Sequence, residues 1–392
     1  MSLIGSGFLT IFSFVFVISI VVVIHELGHY WAGRLCGVHA EAFSMGFGPT
    51  MFSWRDKRGT VWRIAAFPLG GYVKFLGDAG AASEPDEAKL AELRRLMGPD
   101  AEKCYHFKPI WQRAFITAAG PLANFILAIA IFSSLALGFG SAPYSLPVVG
   151  GIAEGSSAAD AGFEVGDQII AINGNEIRSF QDIITEVVWR PGEDLRFDVQ
   201  RDGSVVQIIA APQPTVVTDA YGGERTLGQM GLSSVPDSML RDHFNPVTAV
   251  GYGVGQVWRA VSMTARYVSR IVTGSASPAL LNGPLGIATA AGQTAATSIE
   301  MGSNAGQSAI LLFANLINLA GFLSVGLGLV NLLPIPILDG GHLVYYAYEA
   351  VARRPLSMRA QAIGFRVGLA LVLGMMLVAT WNDLNYQLGR IF

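Results

Sequence analysis

No charged side chain occurs between Met1 and Ile24, and then His25, Glu26 and His29 arrive within five positions of a run that is still apolar, VVVIHELGHYW. This feature constrains the fold more than any other. A helix crosses a bilayer with roughly 20 mainly apolar residues. Inside hydrocarbon the backbone must satisfy its own hydrogen bonds, which leaves helices and closed barrels. The run lacks the polar–apolar alternation of a barrel strand, so it is expected to be a transmembrane helix. It has no basic leader and no small-residue cleavage site, so it is expected to be retained and not removed as a signal peptide. Placing ionisable groups at the end of such a helix is costly, and the cost calls for a function.

Three further runs have the same character. They are AFITAAGPLANFILAIAIFSSLALGFG after Arg113, the uncharged stretch 301–338, and AIGFRVGLALVLGMMLVATW, whose Arg366 can snorkel to an interface. Their abundance explains a chain that is 52% hydrophobic and 14% charged, with a mean hydropathy of +0.45. The expected fold is a polytopic α-helical membrane protein with four transmembrane helices and both termini on one side. Basic residues set the orientation. Residues 34–113 carry twelve basic and nine acidic side chains, whereas residues 141–300 carry nine basic and sixteen acidic. Residues 340–366 hold four Arg against Glu349 alone. The first and third connections are therefore expected to be cytoplasmic, with the long middle one and both termini outside. Cys36 and Cys104 then fall on the reducing side, and no disulfide is expected. No basic stripe points to nucleic acid.

The outward connection changes pattern at residues 148–213. GDQIIAING alternates and ends in an Asn-Gly turn, FQDIITEVVW carries a helical stripe, and LRFDVQRDGSVVQIIA reads as a hairpin around Asp202-Gly203. This order resembles a periplasmic PDZ-like domain, a class that binds extended peptides at a sheet edge; a small αβ domain without a peptide partner is the other reading. Residues 246–273 follow as an amphipathic helix, either at the outer membrane surface or packed on the neighbouring domain. The segments divide as 1–36 (first span), 37–108 (hairpin and cytoplasmic loop), 109–140 (second span) and 141–235 (PDZ-like domain). Then come 236–300 (amphipathic helix and connector), 301–342 (third span) and 343–392 (cytoplasmic loop and fourth span).

His25-Glu26-Leu27-Gly28-His29 has the spacing His-Glu-x-x-His. On a helix, residues four apart lie on one face. Both imidazoles can then bind one Zn²⁺ while Glu26 serves as general base toward water. A hydrolytic zinc site needs a third protein ligand. Asp339, in GLVNLLPIPILDGGHL, is the clear candidate at the matching depth, because spans one and three run the same way. Pro334 and Pro336 break the helix before it, which suits an enclosed wet site. His342 reads as a loop residue, and His39, His106 and His243 as surface residues. Asn331 and Asn124 are buried amides that could bond a scissile carbonyl or could join helices.

Five segments, VVVIHELGHYWAGRLCGV, FSMGFGPTMFSWRDKRGTVWRIAAFPLGGYVKFLGD, QRAFITAAGPLANFILA, LNGPLGIA and GLVNLLPIPILDGGHL, together resemble the site-2 protease family of intramembrane zinc metalloproteases. The likeness is to the bacterial regulator-of-sigma-E protease type and covers nearly the whole chain. It implies His25, His29 and Asp339 as zinc ligands, Glu26 as base and Asn331 within the catalytic Asn-x-x-Pro-x-Pro-x-x-Asp-Gly segment. That protease type has two tandem PDZ domains; this chain has room for one. The resemblance also gives GTVWRIAAFPLGGYVKF, expected to turn at Gly70-Gly71, a role as a membrane-associated β-hairpin whose edge pairs with an unwound substrate; an ordinary cytoplasmic hairpin is the alternative. Implied substrates are single-pass transmembrane proteins, such as anti-sigma factors or remnant signal peptides, in the bacterial inner membrane. Asn124, Gly70 and Gly71 are the expected substrate contacts. A competing class is a membrane receptor or scaffold that binds peptides through the PDZ-like domain and keeps zinc for structure. An ion transporter would need polar residues along spans two and four, which are almost free of them.

Overall fold

The computed structural model describes residues 3–77, 87–141, 144–218, 224–235, 239–272 and 283–391. The start of the acidic stretch after Gly77, Thr273 and the first two residues of LNGPLGIA lie outside these. Among the described residues, four helices are long and apolar enough to cross a membrane: Gly7–Leu35, Ile110–Phe139, Ala305–Asn331 and Arg359–Leu384. The chain divides into two compact units, Met1–Leu135 with Pro246–Asp383, and Ala136–Asn245 with Leu384–Phe392.

The first unit opens with α1 (Leu3–Leu35), continuous through the His-Glu-x-x-His stretch. It ends at Gly37, whose φ of 69° supplies the left-handed conformation that stops a helix. Two long strands follow, β1 (Ala40–Arg55) and β2 (Val61–Phe75), paired antiparallel with several register shifts. Ala42 to Met45 have a neighbour on each side, Val61 to Ile64 on one and Lys74 to Gly71 on the other. The first half of β1 is therefore central, and residues 71–75 form a flank. The tight turn lies at Asp56–Gly59, not at Gly70-Gly71. Asp56 accepts bonds from the amides of Arg58 (2.8 Å) and Thr60 (3.0 Å), an Asx-type turn chemistry, whereas Gly70-Gly71 lies inside β2. A short α2 (Glu87–Met97) and then α3 (Ile110–Phe139) complete this half.

The second unit holds β3 (Tyr144–Ser145), β4 (Val149–Ile152), α4 (Ser157–Asp160), β5 (Gln168–Ile172), β6 (Asn175–Glu176), α5 (Phe180–Val188), β7 (Leu195–Arg201), β8 (Ser204–Ala210), β9 (Gln213–Thr218), β10 (Glu224–Gln229), β11 (Leu232–Ser234) and β12 (Met239–Leu240). Its main sheet has the order β6-β5-β7-β8. Asn173 and Asp202 have φ of 50° and 49°, each followed by a glycine at 81°, the positive pair that a two-residue hairpin turn requires. Ser179 and Asp182 form a reciprocal capping box that starts α5. Ile169, Ile172, Leu195, Phe197 and Val199 form a core with α5's Ile183 and Val187.

The chain then returns to the first unit. Helix α6 (Pro246–Val272) has the expected bounds. Helix α7 (Pro284–Met301) occupies what the sequence suggested was a connector. It is poor in large apolar residues, which hides it from a periodicity reading. Its first amides are capped from another helix: Asp383 accepts from Gly283 (3.2 Å) and Gly286 (2.8 Å). Helices α8 (Ala305–Asn331), α9 (Asp339–Ala352) and α10 (Met358–Ile391) finish the fold, with Asp383 on α10. Val17 and Val21 of α1, Ala128 and Phe132 of α3, and Leu316, Ala320 and Val325 of α8 form one buried cluster. Residues 343–352, expected to be loop, continue α9, and His342 sits in its first turn. Gly340 and Gly341 do not break this helix; they let the 332–338 loop lie against its start.

Candidate active site

His25 and His29 stand one turn apart on α1, their rings 4.8 Å apart and nearly perpendicular. Asp339, the first residue of α9, closes the third corner. Its Oδ2 lies 3.3 Å from His25 Nε2 and 3.6 Å from His29 Nε2, and the two Nε2 atoms are 3.2 Å apart. Ligands about 2.0–2.1 Å from one tetrahedral centre stand roughly 3.3 Å from each other, so these separations fit a zinc ion.

The outer ring nitrogens decide what the inner ones offer. His29 Nδ1 lies 2.9 Å from the Ile116 carbonyl oxygen, which can only accept. The proton therefore sits on Nδ1, and Nε2 presents a bare lone pair. His25 Nδ1 faces the Asn124 amide at 3.3 Å, and Asn124, fully buried, has its Oδ1 without a partner among the described residues. Exchanging the amide oxygen and nitrogen keeps the shape of the side chain. It lets Oδ1 accept from His25 Nδ1–H and bares the second Nε2. Two ring nitrogens and a carboxylate oxygen then converge at 3.2–3.6 Å, close enough to share one metal ion.

Close packing against α3 builds this geometry. A Cβ on Gly120 would lie 2.3 Å from His29 Nε2, and one on Gly28 would lie 2.3 Å from the Ala119 carbonyl oxygen. Gly28 lets α1 approach the α3 backbone, and Gly120 leaves room on α3 for the His29 and His25 rings. Asp339 is held by the fold of its loop. A Cβ on Gly340 would meet the Leu332 and Leu333 carbonyls at 2.3 Å, and one on Gly341 the Ile335 carbonyl at 2.3 Å. Farther along α9, Glu349 pairs with Arg113 of α3 at 2.7 Å.

Glu26 lies on α1 beside β2. A Cβ on Gly71 would fall 3.0 Å from Glu26 Cγ. Glu26 is also within electrostatic range of His25, His29 and Asp339. Of the glycine pair, Gly71 lies at this site, whereas Gly70 packs on the Phe47 ring. Asn331, at the end of α8, reaches His25 Nε2 at 3.5 Å, and Ser324 ties α8 to the Asn124 carbonyl at 2.9 Å. Among the described residues, His25, His29 and Asp339 form the one group of three or more His, Cys, Asp or Glu placed to share a metal ion. His342 points to Tyr345, with ring centres 6.1 Å apart, and His106 is half-buried against Tyr105 instead of on the open surface. The roles of Gly28, Gly120 and the Ile116 carbonyl escaped the sequence reading, since none involves a side chain with chemistry of its own.

Residues 13–375 match peptidase family M50. Metalloprotease MmpA of Caulobacter vibrioides is 46% identical over 385 residues, spanning 97% of this chain and 96% of that one. A putative zinc metalloprotease of Agrobacterium fabrum is 40% identical, spanning 98% of each chain. Zinc metalloprotease RasP of Bacillus licheniformis is 29% identical, over 96% of this chain and 99% of that one. Among solved structures, the PDZ domain of an SdrC-like protein from Listeria monocytogenes aligns at 21% identity and a TM-score of 0.19, covering 25% of this chain and 95% of that domain.

Proposed function

This chain belongs to peptidase family M50 and is a multi-pass membrane zinc metalloprotease, and from that premise we propose that it hydrolyses peptide bonds within transmembrane segments, with His25, His29 and Asp339 holding Zn²⁺ and Glu26 as general base. The observation that carries the reading is the convergence of two imidazole nitrogens and one carboxylate oxygen at separations of 3.2, 3.3 and 3.6 Å. Three protein ligands leave a fourth position open, as catalytic zinc sites do; structural sites are closed by four. This count, with a carboxylate next to the ligands, favours the protease over the receptor or scaffold reading.

Zinc held here would polarise the scissile carbonyl and favour ionisation of the attacking water. Glu26 takes the proton from that water and delivers it to the leaving amine. Asn331, on the His25 side of the cluster, donates from its amide to the carbonyl oxygen as negative charge develops. A transmembrane helix hides its peptide bonds, so the substrate must be unwound before it is cut. The strand flank at Gly71–Val73 offers backbone partners to the extended segment beside Glu26. Gly71 suits this place because any side chain would push on Glu26.

We assign the site to the cytoplasmic side of the bacterial inner membrane and the β3–β12 unit, as a PDZ-like domain, to the periplasm. The basic bias of residues 34–113 supports this orientation. Substrates are single-pass proteins such as anti-sigma factors or remnant signal peptides, with the outward domain turning away those that retain bulky ectodomains. The test is cleavage of single-span reporters by purified protein in liposomes. Wild type is expected to cut, and Glu26→Gln to lose activity by at least ~10³-fold while keeping its metal. Equal cleavage by both proteins would remove Glu26 from the mechanism.

A further inference from the structure

The β1–β2 sheet has two unlike faces. One carries Phe43, Trp62, Val73 and Phe75 into a core with Tyr30 and Ala32 of α1. The other opens into a basin of about 440 Å³ whose polar lining is His39, Glu41, Arg55, Arg63, Tyr72 and Lys74. Lys74 and Glu41 neutralise each other at 2.8 Å. Arg55 and Arg63 have no carboxylate partner among the described residues. The register sets Arg55 opposite Val61 and Arg63 opposite Ser53. The two arginines are therefore diagonal neighbours on adjacent strand segments, with Cα atoms about 7–8 Å apart. Two unpaired guanidinium groups this close repel each other. An oxyanion between them removes the repulsion, and its planar pairs of oxygens match the guanidinium fork. Tyr72 and His39 add polar groups to the same lining.

The same sheet continues into an apolar end. Phe47, Met51, Phe52, Trp54 and Phe67 are all about half or more exposed. Trp54 adjoins Arg55 in sequence. In a membrane protein, an exposed aromatic strip that gives way to a cationic basin matches the passage from hydrocarbon to headgroups.

We propose that this basin binds a phosphate-bearing anion through Arg55 and Arg63, with the headgroup of an anionic phospholipid as its source at the membrane surface. The site itself rests on the sheet geometry. Only the choice of lipid over free phosphate leans on the membrane placement of the hairpin, and none of it depends on proteolysis. The full-length protein in an uncharged detergent is titrated separately with short-chain phosphatidylglycerol and with inorganic phosphate, and native mass spectrometry counts bound molecules. Arg55→Gln/Arg63→Gln is expected to weaken phosphatidylglycerol binding about 30-fold, as two basic contacts at an anionic surface would. Lys57→Gln/Arg58→Gln, which removes the same charge from the neighbouring turn, is expected to bind like wild type. Phosphatidylglycerol that millimolar phosphate fails to displace identifies the lipid source; displacement identifies free phosphate, and either result supports the site. Equal weakening in both double variants, with unfolding midpoints unchanged, would reduce the effect to net charge and overturn the proposal. So would a wild type that binds neither compound.

Discussion

Asn124 separates two roles that a buried amide near a metal centre can have. The sequence reading placed it near the substrate, but its side chain meets His25 Nδ1 at 3.3 Å, on the side of the ring away from Asp339. A partner there fixes the tautomer and orientation of a metal-ligating histidine, and its loss costs 10- to 100-fold in metal affinity or activity by order of magnitude. We expect Asn124→Ala to lower zinc affinity by about that factor, measured by competition with a chromogenic chelator. If zinc affinity holds while cleavage falls, Asn124 acts on the substrate instead. The residues with chemistry were legible in the chain. Four-residue spacing on a helix pairs His25 with His29, and the parallel sense of spans one and three brings Asp339 to their depth. The supporting contacts were not legible. Gly120 acts by having no side chain, and Ile116 acts through a carbonyl that every residue has, so neither leaves a compositional mark.

At the scale of the element, local signals carried the β3–β12 unit well and the hairpin poorly. Asn173-Gly174 and Asp202-Gly203 are turns with a steric reason for their residues, and Ser179 with Asp182 starts a helix by a reciprocal cap. The β1–β2 sheet depends on which half of a long strand pairs with which, and alternation cannot specify this when both faces find partners. The β3–β12 unit also contains a buried charge pair that supports a pH prediction. Asp167 is fully buried and accepts two bonds from Arg201 at 2.7 Å and one from the Glu164 amide at 2.9 Å. Burial alone would raise its pKa; the Arg201 bonds and the Glu164 amide outweigh that and hold it below the ordinary carboxylate value. A carboxyl whose folded pKa is depressed contributes stability that is complete above its unfolded value. This contribution drains away as the pH falls below about 4. We expect Arg201→Ala to destabilise this unit by roughly 3 kcal/mol, because it strands a buried carboxylate. The loss should shrink as acid protonates Asp167. Denaturant unfolding at neutral pH and near pH 3 measures both; a loss independent of pH would mean that Arg201 acts through packing.

At the scale of the whole molecule, the proposed metal ligands and the Asp167–Arg201 pair fall in different compact units, each with its own buried core. His25 and His29 come from α1 and Asp339 from α9, so a bound ion joins segments more than three hundred residues apart in sequence. A ligand that binds only the folded state stabilises it by mass action, by about 4 kcal/mol when its concentration is a thousand times its dissociation constant. That stabilisation belongs to the unit that contains the ligands. Calorimetry of the full chain in micelles is therefore expected to resolve two transitions. A zinc chelator should lower the midpoint of the unit that holds the four apolar helices by several degrees and leave the β3–β12 unit in place. Arg201→Ala should do the reverse. Were chelation to move both transitions together, the two units would unfold as one cooperative body, and the metal would be stabilising the β3–β12 unit as well as the proposed active site.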